Sequence, residues 1–178
     1  MTDPDRDALA MSALTDWAAA RAREREEDAA AAAGLRAQLL PLARAAEAHR
    51  IETRYEGGSD SGMLDGAIAA PPEADARLRE LLVDGVDKVW DAQARAYVKR
   101  PTLVSFFTAI EALFSHALLA RVGNWWDGDI ETSGEIVWHI ADDPDVISGE
   151  HTLVRRESEW TEWSTADDEA DDAADAGV

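Results

Sequence analysis

At Ile51 the apolar period of this chain changes, and the change limits the folds open to it. Upstream, Thr2 or Asp3 before Pro4 reads as a helix start, and Leu9, Leu14 and Trp17 give a thin helical stripe. Arg21 to Ala33 holds strong helix formers with opposed charges but almost no large apolar side chain, the pattern of an exposed arm. Gly34 interrupts it, Leu35, Leu39 and Leu42 restore an apolar face, and Pro41 predicts a kink or a fresh start. Then Ile51, Thr53 and Tyr55 alternate with Glu52, Arg54 and Glu56, the two-residue period of a half-buried strand. Gly57, Gly58, Ser59, Asp60, Ser61 and Gly62 follow as a turn, and Met63 to Ile68 returns as a short strand before Pro71 and Pro72.

Downstream, Leu78, Leu81, Leu82, Val86, Val89, Trp90 and Tyr97 fall on helical spacing, which predicts one amphipathic helix over 73–97. Pro101 opens the next, where Leu103, Phe106, Phe107, Ile110, Leu113, Phe114, Leu118 and Val122 form the most apolar helix, stopped at Gly123 and Asn124. Ile136 to Ile140 reads as a strand, Asp142 to Asp145 as a turn, and His151 to Trp163 as a final strand. This order implies an α+β fold in which an antiparallel sheet of two hairpins packs on helices and carries an N-terminal helical extension. The expected organisation is a helical segment over 1–49, an α+β domain over 50–164 and a disordered acidic tail over 165–178, which lacks an apolar face to offset its ordering entropy.

Charge restricts the partners. The chain carries −20 over 178 residues, and residues 101–178 alone hold 18 acids against 3 bases. Such a field repels nucleic acid and anionic lipid and draws cationic surfaces. There is no cysteine, which excludes disulfides, thiol nucleophiles and thiolate metal sites. The N-terminus is acidic where a secretory signal is basic, and no apolar run approaches a membrane span, so a cytoplasmic protein is expected.

IETRYEGGSDSGMLD at 51–65, NWWDGDIETSGEIVWHI at 124–140 and HTLVRRESEWTEWS at 151–164 resemble a family of uncharacterised bacterial proteins often linked to mobile elements. Those proteins carry a Gly-Asp-Ser-Gly type loop, a helix, a Trp and Asn-Asp-Gly type turn and a closing hairpin. Ser59-Asp60-Ser61-Gly62 stands for the first motif and Trp125-Trp126-Asp127-Gly128 for the second. Asp129, Glu131 and Thr132 depart from the second motif and Met63 from the first. The resemblance implies a small α+β domain and leaves its activity open.

Several constellations compete with plain structural roles. Ser59, Asp60 and Ser61 could present a hydroxyl nucleophile with His116 or His139 as base, but Gly-x-Ser-x-Gly spacing is missing and the same residues make ordinary turns. Asp127, Asp129 and Glu131 alternate as a divalent cation site would require, yet an EF-hand count from Asp127 places Thr132 and Trp138 where glycine and glutamate belong. Glu135, His139 and His151 are scattered in sequence and could meet only across the last hairpin. No cofactor is implied. Five of the seven tryptophans lie in the acidic half, and Trp160 and Trp163, an odd number apart, point to opposite faces of a strand.

Exposed aromatics among carboxylates suit an arginine-rich protein surface. The sequence therefore points to a non-enzymatic, acidic accessory protein that binds a basic partner, with mimicry of nucleic-acid charge as one version. The expected contact residues are Trp126, Asp127, Asp129, Glu131, Glu157, Glu159, Trp160, Glu162 and Trp163. The competing expectation is a small-ligand or divalent-metal-dependent activity between the 57–62 loop, with Ser59, Asp60 and Ser61, and the 125–131 turn.

Overall fold

A computed structural model describes residues 4–126 and 130–155, with side chains from residue 11 onward. The fold is α+β, as the change of period requires. Helix α1 (Pro4–Ala45) is followed by strands β1 (Arg50–Gly58), β2 (Ser61–Leu64) and β3 (Ile68–Ala70). Helix α2 (Pro72–Arg79), strands β4 (Leu82–Asp91) and β5 (Ala96–Ser105), and helix α3 (Phe106–Val122) come next, and β6 (Ile130–His139) and β7 (Val146–Arg155) close the described chain.

The main sheet runs β2-β1-β6-β7, all antiparallel, with β3 paired to the opening residues of β1. Alternation in β1 sends Ile51, Thr53 and Tyr55 inward, and the register sets Ile51 opposite Trp138 and Thr53 opposite Ile136. Phe106, Ile110, Leu113 and Phe114 of helix α3 are fully buried in the same hydrophobic core as this face. Ser105 caps α3, its hydroxyl accepting from the Thr108 amide at 3.1 Å. Burying a phenylalanine or leucine of this kind contributes roughly 1.5–3 kcal/mol each.

Helix α1 runs unbroken through Gly34 and Pro41, so the interruption and fresh start expected there do not occur. Pro41 leaves only one amide missing, and Leu39, Ala43 and Ala46 on either side of it are buried in the core beneath α3, which holds the last turns in place. Its N-terminal part is different. Residues 11–19 are all exposed, Met11, Leu14 and Trp17 among them, and farther along Asp28 meets His116 of α3 at 2.8 Å.

The helix expected over 73–97 is overturned: only Pro72–Arg79 is helical, and β4 and β5 form a separate two-stranded ribbon. Val86 and Val89 fall on helical spacing with Leu82 by coincidence, but β-branched side chains favour the strand. Asp91 fixes the reversal by accepting from the amides of Gln93 and Ala94 at 2.9 and 3.0 Å. Residues 101–105 likewise belong to β5, so Leu103 is exposed on a strand and not buried on α3. Beyond Val83 and Val104 at its base, the ribbon stands away from the body with most of its side chains in solvent.

Candidate functional site

The glycine loop and the tryptophan turn meet. Ser59 and Asp60 both take left-handed backbone angles, φ 53° and 62°, which reverse β1 into β2. Both are exposed, and the Ser61 hydroxyl donates to the Gly58 carbonyl at 3.3 Å. Pairing of β1 with β6 sets Gly57 opposite Thr132, whose hydroxyl donates to the Trp125 carbonyl at 2.5 Å. The Trp125 indole sits against the hairpin at Gly57 and Gly62. A Cβ at Gly57 would come within 2.4 Å of the Trp125 carbonyl oxygen, and one at Gly62 within 2.5 Å of the ring, so both positions need glycine for close approach. Tyr55 and Trp126 meet Trp125 edge-on, with centroids 5.3 and 4.9 Å away.

Trp125 therefore fills the space in which the loop and turn would hold a ligand. What remains is an open depression of about 790 Å³ on the outside, lined by Glu56, Ser59, Ser61, Met63, Glu131 and Val154 among others. Trp126 is half-buried and Glu131 exposed, while Asp127 and Asp129 lie outside the described residues. Trp125 Nε1 and Asn124 Oδ1, beside that segment, are buried without a hydrogen-bond partner among the described residues.

Neither His116 nor His139, the two expected bases, is engaged with the loop. His139 pairs with Arg50 at the far end of the ladder, roughly 23 Å from Gly57 at about 3.3 Å per residue, and its Nε2 meets Ser148 Oγ at 3.0 Å. His116 is engaged with Asp28. Opposed residues share a face, so His151, opposite Gly134, lies on the other side of the sheet from Glu135 and His139, and those three do not converge. Among the described residues no group of three or more His, Asp or Glu is placed to hold a metal ion.

Sequence reasoning missed a second polar cluster, in a cleft of about 680 Å³ between α1, α3 and the β6–β7 hairpin. Its volume comes from small side chains: Ala29, Ala32 and Ala33 on α1 face Ala117 and Ala120 on α3. At one end Asp145, 7% exposed, accepts from Arg36 Nε at 2.6 Å and Trp138 Nε1 at 2.7 Å, both on Oδ2, and Arg36 Nη2 also donates to the Asp145 carbonyl. The Arg36 hydrogen bond holds this carboxyl below the usual carboxylate range, against the opposing effect of burial.

At the other end Tyr55 crosses β6 at Gly134, where a Cβ would sit 2.6 Å from the phenol oxygen. The Tyr55 hydroxyl donates to the Glu150 carbonyl at 3.0 Å and lies 2.7 Å from His151 Nδ1. With its one proton on the carbonyl, the phenol oxygen can accept only from an Nδ1–H tautomer of His151, and burial raises the phenol's pKa. Gly134, placed mid-strand, was the available signal for this crossing. These groups satisfy one another, an arrangement that pins β7 to the body.

β7 is the outer strand of the sheet, and among the described residues it pairs only with β6. Val146, Leu153 and Val154 on it are exposed. Glu157, Glu159, Trp160, Glu162 and Trp163 lie outside the described residues, as does the expected continuation of this strand to Trp163. Comparison with family models, with characterised proteins and with solved structures returns no match.

Proposed function

We propose that this chain is a non-enzymatic interaction protein that receives a basic protein segment along the outer edge of β7. The observation that carries this reading is a ten-residue edge strand with exposed Val146, Leu153 and Val154 that leads into residues 156–178, which hold nine acids and one base. Sheet edges are ordinarily blunted by lysine, proline or a covering element, because their free amides and carbonyls template further strands. β7 carries neither residue. Strand addition supplies main-chain hydrogen bonds, and the acidic stretch supplies the field that steers a cationic segment to them. Glu131 and Trp126 lie near the same end of the sheet. A partner that ordinarily binds nucleic acid fits this chemistry, with the chain acting as a charge mimic.

The test is association with an arginine-rich, strand-forming peptide measured from low to molar salt, beside duplex DNA as a control. Exposed charges are screened beyond about 8 Å at physiological ionic strength, so association slows as salt rises. Reversing Glu157, Glu159 and Glu162 to Lys slows association with little change in melting temperature. Salt-independent binding, or a triple reversal without effect, overturns the electrostatic reading.

The adjacency of the 57–62 loop and the 125–131 turn, with the depression outside Trp125, favours the second reading, a small-ligand or divalent-cation activity. A rise in melting temperature with added calcium or magnesium, lost on changing Asp129 and Glu131 to Asn and Gln, would support it.

A further inference from the structure

The β4–β5 ribbon is unlike the rest of this acidic molecule. Between residues 82 and 105 it has four bases, Lys88, Arg95, Lys99 and Arg100, and three acids, Asp84, Asp87 and Asp91. In an antiparallel pair, residues directly opposite each other point to the same side, so the register divides the ribbon into two faces. One face has Val83 and Val104, which pack on the body at the base, and farther out Asp87 opposite Arg100, with Asp91 3.9 Å from Arg100. Its charges are matched within the ribbon.

The other face is unmatched. From base to tip it presents Leu82 with Ser105, Asp84 with Leu103, Val86 with Pro101, Lys88 with Lys99, and Trp90 with Tyr97. Leu82, Leu103, Val86, Trp90 and Tyr97 are all more than half exposed, and Trp90 and Tyr97 meet edge-on at 5.3 Å. The only two lysines in the chain stand directly opposite each other, an arrangement that destabilises an isolated pair of strands. Among the described residues no ion pair engages Asp84, Lys88 or Lys99, although the chain carries 37 acids.

We propose that this face docks on the same face of a second copy of the chain, the two ribbons antiparallel about a two-fold axis at the Val86–Pro101 layer. The pattern is self-complementary about that layer. Inverting it lays β4 over its copy, which brings Lys88 over the partner copy's acidic layer at position 84, Trp90 over the apolar layer at 82, and Val86 over its own equivalent. The unpaired acid and the unpaired lysine thus answer each other twice, as an isologous interface requires. Aromatic and aliphatic side chains close both ends, and Lys99 lays its aliphatic stem over the apolar layer at 103. An acidic partner of another kind would answer the lysines but would leave Asp84 unpaired.

Sedimentation velocity over a wide concentration range tests this, at physiological salt, where a Debye length of about 8 Å suppresses long-range repulsion between two chains of −20. The wild-type chain dimerises with rising concentration. Asp84→Lys alone and Lys88→Asp alone each set like charges opposite one another twice and weaken the dimer by roughly tenfold or more. An equimolar mixture of the two single variants restores a heterodimer, because each chain supplies what the other lacks, and the double variant in one chain restores the homodimer. Circular dichroism confirms that the variants keep the fold. A wild-type chain that stays monomeric throughout, single variants that dimerise unchanged, or a mixture that fails to recover each overturns the proposal. Neither position lies on β7, so basic-peptide binding is read separately and can fail or hold independently.

Discussion

Asp145 offers the sharpest test of what fixes β7 to the body. Its Oδ2 accepts from both Trp138 Nε1 and Arg36 Nε, at 2.7 and 2.6 Å, and it is 7% exposed, so little water can replace a lost partner. Asp145→Ala leaves the fully buried Trp138 indole N–H without an acceptor, a loss of about 1–3 kcal/mol. The Arg36 side chain is 38% exposed and can turn to water, so its part is a surface-like ~1 kcal/mol at most. Together these give about 1–4 kcal/mol, or a fall in Tm of roughly 2–16 °C for a chain of this size. Asp145→Asn keeps one oxygen that can accept from both donors and loses only the charge-assisted share, about 1–2 kcal/mol. The acid limb carries the signature. Arg36 depresses the folded carboxyl below its unfolded value of about 3.9, so the advantage of wild type over Asp145→Asn is complete above about pH 5 and disappears as pH falls through the folded pKa, while that over Asp145→Ala shrinks by the same charge-linked share, because the protonated carboxyl still accepts from Trp138. Denaturant unfolding at neutral and acid pH measures both. Equal stability of wild type and Asp145→Ala at pH 7, or a difference that persists unchanged at low pH, would refute the assignment.

Two further substitutions probe the core and the loop. Phe114→Ala removes a fully buried core ring of α3 and is expected to cost about 3–5 kcal/mol in equilibrium unfolding, whereas an effect below about 0.5 kcal/mol would place the residue at the surface. Gly57→Ala sets a methyl 2.4 Å from the Trp125 backbone oxygen and 2.8 Å from Thr132 Oγ1, an overpacking cost of about 1–3 kcal/mol that should also alter the near-ultraviolet dichroism of the Tyr55–Trp125 pair. An unchanged near-ultraviolet spectrum and melting curve would show that Trp125 is not seated on the hairpin.

The sequence by itself determined what depends on neighbours along the chain. Alternation at Ile51 to Tyr55 and the glycines after it specified β1 and its reversal, the apolar spacing of Phe106 to Leu118 specified α3 and its buried face, and the apolar run from Ile136 marked the second half of β6 as strand. Each is a period or a turn preference that a single segment expresses alone. Tertiary structure decided what two segments settle together. Residues 82–91 fit a helix by spacing and became a strand because β5 was available to pair with them, and Leu103 moved from an expected core helix to an exposed ribbon face for the same reason. The joining of Arg36 to Asp145, 109 residues apart, and of Tyr55 to His151, 96 apart, left no local mark, since hydrogen bonds between distant elements impose no period on either. The opposition of Lys88 to Lys99 likewise exists only once the register of the ribbon is set, because register is a property of two strands and a one-residue slip would send one lysine to the other face.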